Sequence, residues 1–379
     1  MILMHCALLS TAQQLPAIVR DWAAYAGQTD SVFKTPVVLD EDSNLYVGTF
    51  RVDSVTGADV LIVKYGTDGG VKWEVSWSGA GLGRDQVSDL AYYNGAVYVS
   101  GITQGSASNN YDMLFMRVSS EGIVEWVNTW NGPASSFDVG TAVLADNGGV
   151  FVTGASSDSA TAMGYRTFSL EPSSGTILWE RSYDFAGLND VPFDLGREGT
   201  TLVVTGGSQS TLSNWDYATV FYDDSGTQLS VNRVTGTSSG FDRAQAVKMD
   251  VLGNVYITGG SYENGVGQEV KTVKIAPTGN VIWVKTYGGS SDDTGNDLVV
   301  DANGNVYVCG QTYDATNGFD LVLIKYSSGG TQLWKQIIDV EKKDDAAVSL
   351  CLDAWGHVVV TGYATRDNQF DMLTIGYNE

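Results

Sequence analysis

A short apolar phrase closed by glycine recurs seven times along the chain. It reads Asn44-Leu-Tyr-Val-Gly48, Ala96-Val-Tyr-Val-Ser-Gly101, Gly149-Val-Phe-Val-Thr-Gly154, Thr201-Leu-Val-Val-Thr-Gly206, Asn254-Val-Tyr-Ile-Thr-Gly259, Asn305-Val-Tyr-Val-Cys-Gly310 and His357-Val-Val-Val-Thr-Gly362. Successive glycines lie 53, 53, 52, 53, 51 and 52 residues apart. Apolar runs this short, bounded by Gly, Asn and Asp, read as strands and not as helices. Within 293–338 the pattern predicts four of them, at 296–301, 305–309 (ended by Gly310), 320–326 and 332–337. Ala302-Asn303-Gly304 supplies a hairpin turn, residues 311–319 a polar loop, and Ser327 to Gly330 the last turn. A four-stranded antiparallel unit repeated at this period predicts an all-β fold, a seven-bladed β-propeller.

The predicted fourth strand carries a tryptophan four residues after a turn glycine: Gly69 and Trp73, Gly122 and Trp126, Gly175 and Trp179, Gly279 and Trp283, Gly330 and Trp334. A second large residue follows four positions later, at Trp77, Trp130, Tyr183, Tyr287 and Ile338. Even spacing puts both on one face of the strand, where each ring is expected to pack against the next blade. Repeat four has Ser230 at the tryptophan position, so that blade is expected to be the loosest. The chain ends on a third strand, Asp371 to Tyr377, without a fourth. Residues 17–25 resemble the missing strand: Tyr25 and Gly27 match Tyr287 and Gly289, although Asp21 stands at the tryptophan position. Pairing the two ends would complete the seventh blade, close the ring and remove its free edges. The expected organisation is residues 15–379 as a single propeller, after a signal-peptide remnant or disordered extension at 1–14. Ser10-Thr11-Ala12 before Gln13 resembles a signal cleavage site, though no basic segment precedes it.

Charge narrows the partners. Forty-four acidic and 21 basic side chains give a formal net charge of −23. No basic face is visible to displace counterions from phosphates, so nucleic acid is not an expected partner. An anionic membrane surface is disfavoured for the same reason, and no apolar stretch is long enough to insert as a helix. The three cysteines are Cys6, Cys309 and Cys351. Cys309 and Cys351 fall in predicted strands of neighbouring repeats; buried thiols are the expectation and a disulfide between them the alternative. With only His5 and His357 available, neither a Ser–His–acid arrangement nor a multi-histidine metal site can be assembled.

From Asp293 through Asp301, Gly304, Asn305 and Gly310, then Asp320 to Lys325-Tyr326 and Gly330 to Trp334, the sequence resembles the bacterial SBBP-type β-propeller repeat. The resemblance spans about 95% of the chain. It implies a propeller in an extracellular or envelope setting, and no particular reaction. Repeat three departs from it, with Gly164-Tyr165 replacing the aromatic–Asp pair. Ser169 to Trp179 is more weakly similar to quinoprotein dehydrogenase repeats, but lacks the adjacent cysteine pair placed beside the quinone. Asp223-Asp-Ser-Gly-Thr227 resembles the aspartate boxes of sialidases, which are structural turns.

Two sets of carboxylates recur. One precedes the first strand of each blade: Asp30, Asp85, Asp138, Asp190, Asp242, Asp293 and Asp345. The other opens the third: Asp59, Asp112, Asp216, Glu269, Asp320 and Asp371. They read either as a cation site or acidic mouth, or as turn-fixing acceptors, and recurrence in nearly every blade favours the second. Asp301-Ala-Asn-Gly-Asn305 resembles the opening of a calcium loop, but no bidentate acid follows. No cofactor is expected, with calcium the one kept in view. The loops joining second and third strands vary most, and from them Trp215, Tyr262, Tyr313, Arg51 and Arg366 are the candidate ligand contacts. The expected function is a monomeric, secreted or cell-surface, non-catalytic binding module for a protein or glycan at that loop face. Its rivals are a carboxylate-dependent hydrolase or lyase, and a structural unit of a larger secreted assembly.

Overall fold

The computed structural model describes residues 36–377 apart from 54, 82, 106–109, 135–136, 160–161, 264–266, 290, 317, 341, 354 and 367–368, and without the side chains of 158–159, 366 and 369–372. The proposed closing strand at 17–25, Asp30 and the extension at 1–14 lie outside the described residues.

Seven antiparallel sheets follow one another along the chain. Among the described residues, six have four strands in sequence order, and the last has three, Asp345–Leu352, Val358–Arg366 and Gln369–Tyr377. The fold is the seven-bladed β-propeller that the repeat predicted. The described chain divides into two compact units. One holds the residues up to Leu212 with Ala218–Val231, the other Ser213–Tyr217 and Asn232 onward.

The strands are longer than the apolar runs suggest. In repeat six they are Thr294–Val300, Val306–Asp314, Gly318–Tyr326 and Gln332–Ile338. The second strand therefore runs through Gly310, and the predicted nine-residue loop shrinks to what lies between Asp314 and Gly318. Gly310 is needed for another reason. A Cβ there would sit 1.9 Å from the Thr294 carbonyl oxygen. The first strand shifts register directly opposite, between Gly295 and Asp297, and the same bulge recurs in the neighbouring sheets, at Ala244/Ala246 and Ala347/Ser349. A bulge presses one strand's carbonyl onto the next, and only glycine admits it.

Packing between consecutive sheets follows the tryptophan pattern. In the first unit Trp73 donates its Nε1–H to the Ser120 carbonyl at 2.9 Å, Trp126 to Pro172 at 3.0 Å and Trp179 to Asp224 at 2.9 Å. Trp283 does the same to Ser328 at 3.1 Å in the second unit. Each acceptor lies in the turn before the next sheet's fourth strand. Each ring also covers that turn's glycine, which has positive φ: a Cβ on Gly122 would lie 2.8 Å from Trp73. The turn glycine thus serves its own left-handed backbone and its neighbour's indole.

A second repeated contact runs across strands. Tyr46, Tyr256 and Tyr307 face Lys64, Lys274 and Lys325, whose ammonium groups sit 4.8, 4.9 and 4.7 Å from the ring centroids. The tyrosine hydroxyls reach back to the hairpin aspartates Asp40 and Asp250 at 3.1 and 2.9 Å. These lysines are buried, and the ring face with nearby oxygens compensates their charge. Cys309 and Cys351 are free thiols, so the disulfide alternative is set aside. Cys309 is buried as expected. Cys351 is exposed instead, on the first strand of the last sheet.

Candidate functional site

The acid set before each first strand has a clear local role. Asp85, Asp138, Asp190, Asp242, Asp293 and Asp345 are all almost fully buried. One oxygen takes a backbone N–H from the linker leaving the previous sheet: Gly79 for Asp85 at 2.6 Å, Gly132 for Asp138 at 2.7 Å, Phe185 for Asp190 at 2.7 Å, Gly289 for Asp293 at 2.9 Å and Val340 for Asp345 at 2.6 Å. In the most complete cases the other oxygen takes donors from the end of the same repeat's second strand. For Asp293 these are the Thr312 hydroxyl at 2.5 Å and the Tyr313 N–H at 2.9 Å, and for Asp85 they are Thr103 and Gln104. Asp242 is held likewise by the Gly236 and Tyr262 N–H groups. A carboxylate so placed staples the linker to the sheet, which is the turn-fixing role.

The third-strand set is less uniform. Asp59 accepts from the Thr56 hydroxyl at 2.7 Å, and Asp112 from the Asn110 amide at 3.1 Å. Asp216 is paired with Arg233 at 2.7 Å and with the Asn214 amide at 3.0 Å. Among the described residues, no donor reaches Asp320 Oδ1. The residue is 4% exposed, and its Oδ1 is shut off from solvent. Burial first, then the charges of Asp339, Asp345 and Asp314, push its carboxyl up to about 6. Burial likewise pushes Asp345 up to about 6 despite the Val340 and Thr365 N–H groups, with Asp339 and Asp344 adding to it. The side chain of Asp371 lies outside the described residues.

Asp320, Asp339 and Asp345 each bring a carboxylate oxygen within 4.8 Å of the other two. Sequence reasoning placed Asp320 and Asp345 in separate sets and missed Asp339. The signal was present: the residue after the fourth strand is Ser78, Asn131, Thr235 or Gly288 in four other repeats. Repeat three does have Asp184 there, but the register corrects the sequence alignment: Tyr165 pairs with Tyr183 as Leu321 does with Ile338, so Gly164, and not Tyr165, stands at the third-strand acid position.

The candidate ligand contacts fall into three situations. Trp215 is buried, stacked on Phe241 with ring centroids 5.2 Å apart, and exchanges backbone hydrogen bonds with Gly240 and Asp242. Tyr262 is half-buried and packs on Gly240, so both aromatics contact the same linker. Tyr313 is 38% exposed and meets Phe319 edge-on at 5.1 Å. Arg51, in the other unit, is exposed and bridges to Glu74 at 2.6 Å. Arg366 ends the strand Val358–Arg366, and its side chain lies outside the described residues. A half-open hollow of about 370 Å³ lies elsewhere, at the hairpins between first and second strands. Trp355, 82% exposed, lines it beside His357, whose Nδ1 is 2.8 Å from Asp353.

Residues 282–317 match the family model of the SBBP beta-propeller repeat. No curated protein sequence matches the chain. Solved structures similar to it include the beta-propeller domain of the Trilobed protease from Pyrococcus furiosus, whose topology is described as open velcro. That domain has 7% identity and a TM-score of 0.52, with 90% of this chain and 92% of that one covered. The periplasmic gluconolactonase of Pseudomonas aeruginosa has 13% identity and a TM-score of 0.52, covering 88% and 95%. The quinohemoprotein alcohol dehydrogenase of Comamonas testosteroni has 10% identity and a TM-score of 0.46, covering 86% and 68%. At these identities the likeness is one of fold.

Proposed function

We propose that this chain is a secreted or cell-surface propeller that binds a partner without turnover, through the turns joining second and third strands. The observation that carries the reading is how the recurrent aspartates are used. Asp85, Asp242, Asp293 and Asp345 each have both oxygens occupied by donors of the chain's own turns. An acid held in this way is neither free to attack a substrate nor reachable by one. Asp320 and Asp345 have the raised pKa that a general acid needs, which favours the hydrolase or lyase reading. Both are more than nine-tenths buried, however, and a glycosidic or ester group cannot approach them. The similarity to a gluconolactonase carries the fold and leaves the lactonase chemistry with that enzyme.

A net charge of −23 favours neutral or cationic partners, since polyanions are repelled over about 8 Å at physiological salt. Tyr313 and Tyr262 are the accessible aromatic contacts at this face, each worth about 1–2 kcal/mol as an anchor. The test measures affinity for envelope glycans and surface proteins with Tyr313→Ala, Tyr262→Ala and, at the opposite end of the strands, Trp355→Ala. Loss in the two tyrosine variants supports the assignment. Loss in Trp355→Ala alone moves the face to the hairpin hollow. Turnover of a lactone or glycoside that disappears in Asp320→Asn replaces the binding reading with the enzyme.

A further inference from the structure

Among the described residues, it is at the junction between the sixth and seventh repeats that three acids converge. Asp320, Asp339 and Asp345 bring three carboxylate oxygens within 4.8 Å of one another. Asp345 spends its oxygens on Val340 and Thr365, and Asp339 accepts the Lys342 N–H at 2.7 Å. Asp320 is 4% exposed and its Oδ1 receives no donor, while one of its carboxylate oxygens lies within 4.8 Å of those of the other two acids. Three of its counterparts in other repeats take a donor on at least one oxygen: Thr56 for Asp59, Asn110 for Asp112, Arg233 for Asp216. A buried carboxylate oxygen without a donor, close to two further carboxylates, is strongly unfavourable unless something positive compensates it.

We propose that Asp320, Asp339 and Asp345 form a binding site for a hard divalent cation, calcium before magnesium. Three points no more than 4.8 Å apart share a centre at most about 2.8 Å from each, so tenths of an ångström bring all three oxygens to calcium's bonding range of about 2.3–2.6 Å. The donor set is all oxygen, with no imidazole or thiolate, which disfavours zinc and copper. Magnesium demands a tighter octahedron and gives up its waters reluctantly, so calcium suits a half-formed cage better. Asp339 is only half-buried, which leaves an ion a path to an oxygen that no larger substrate can reach. The bound ion would tie the third strand of repeat six, the linker after its fourth strand and the first strand of repeat seven together. It would thereby stabilise the end of the chain without taking part in any reaction.

The experiment follows thermal unfolding of the full chain, first stripped with chelator, then titrated separately with calcium chloride and magnesium chloride. Calcium at a hundredfold excess over its dissociation constant should raise the Tm by roughly 3–5 °C, and magnesium by less. Asp320→Asn and Asp339→Asn keep the side-chain shape and should fold. Each should lower calcium affinity at least tenfold while leaving the cation-free Tm equal to or above that of the wild type. Asp112→Asn, at an acid pair without a third member, should keep the full response. The proposal is overturned if millimolar calcium leaves the wild type unmoved. It is also overturned if Asp320→Asn and Asp339→Asn respond as the wild type does, or if Asp112→Asn abolishes the response equally.

Discussion

Replacing Asp293 with alanine separates a structural staple from a functional acid. The side chain is fully buried and takes the Gly289 N–H, the Thr312 hydroxyl and the Tyr313 N–H. Gly289 is exposed, so water replaces its bond to Asp293 cheaply. Thr312 is 9% exposed, and its hydroxyl is left without an acceptor in a space too closed for free hydration. A hydrogen bond to a charged group contributes about 1.5–3 kcal/mol. The desolvation cost of the carboxylate, recovered on its removal, offsets part of the sum. Asp293→Ala should therefore cost about 3 kcal/mol. Asp293→Asn, which keeps one acceptor and turns an amide N–H towards Gly289, should cost about half of that. In a chain of this size the alanine variant should melt roughly 3–6 °C lower. Thr312→Val should couple to Asp293→Ala by about 1 kcal/mol or more in a double-mutant cycle, because both remove the same bond. Urea unfolding with unchanged m-value gives the free energies, and hydrogen exchange at Gly289 reports the linker locally. An Asp293→Ala variant as stable as the wild type, or more stable, would refute the staple and return this acid to the list of functional candidates.

Two further outcomes follow from the packing and the hairpin acids. Trp283→Ala removes an indole that is 9% exposed and donates to Ser328, and should cost roughly 3–5 kcal/mol in chemical denaturation. Trp283→Phe, which fills much of the space without the bond, should cost far less. At Asp250 burial raises the carboxyl pKa, but donors from Asn254, Tyr256 and Leu252 outweigh it and hold the group below its ordinary value. Its contribution is therefore present above the unfolded pKa of about 3.9 and is lost as pH falls through the lower folded value. The stability gap between wild type and Asp250→Ala should be widest at neutral pH and narrow on acidification. A gap that widens below pH 4 would reverse the sign of this argument.

Much of this protein is local, and local physics is legible in sequence. The seven glycine-closed phrases, the turn glycines and the tryptophans four residues after them define strands, turns and the face each ring buries, because each rests on the two-residue period of a strand or on one residue's allowed φ. The recurrence at about 52 residues adds the sheet count. What the sequence alone left undecided depends on how neighbouring strands press together. Gly310 looked like a strand end and is instead the point where a bulged carbonyl meets the second strand, a distance no residue pattern expresses. Trp215 looked like a loop aromatic and is covered by Phe241, twenty-six residues on, through a bridge between a third strand and a linker. Asp320, Asp339 and Asp345 are separated by 19 and 6 residues and stand on two strands and the linker between them. Each acid is ordinary alone. Only the packing of the end of one sheet against the start of the next brings three carboxylates within 4.8 Å of one another, and that convergence is a property of tertiary packing.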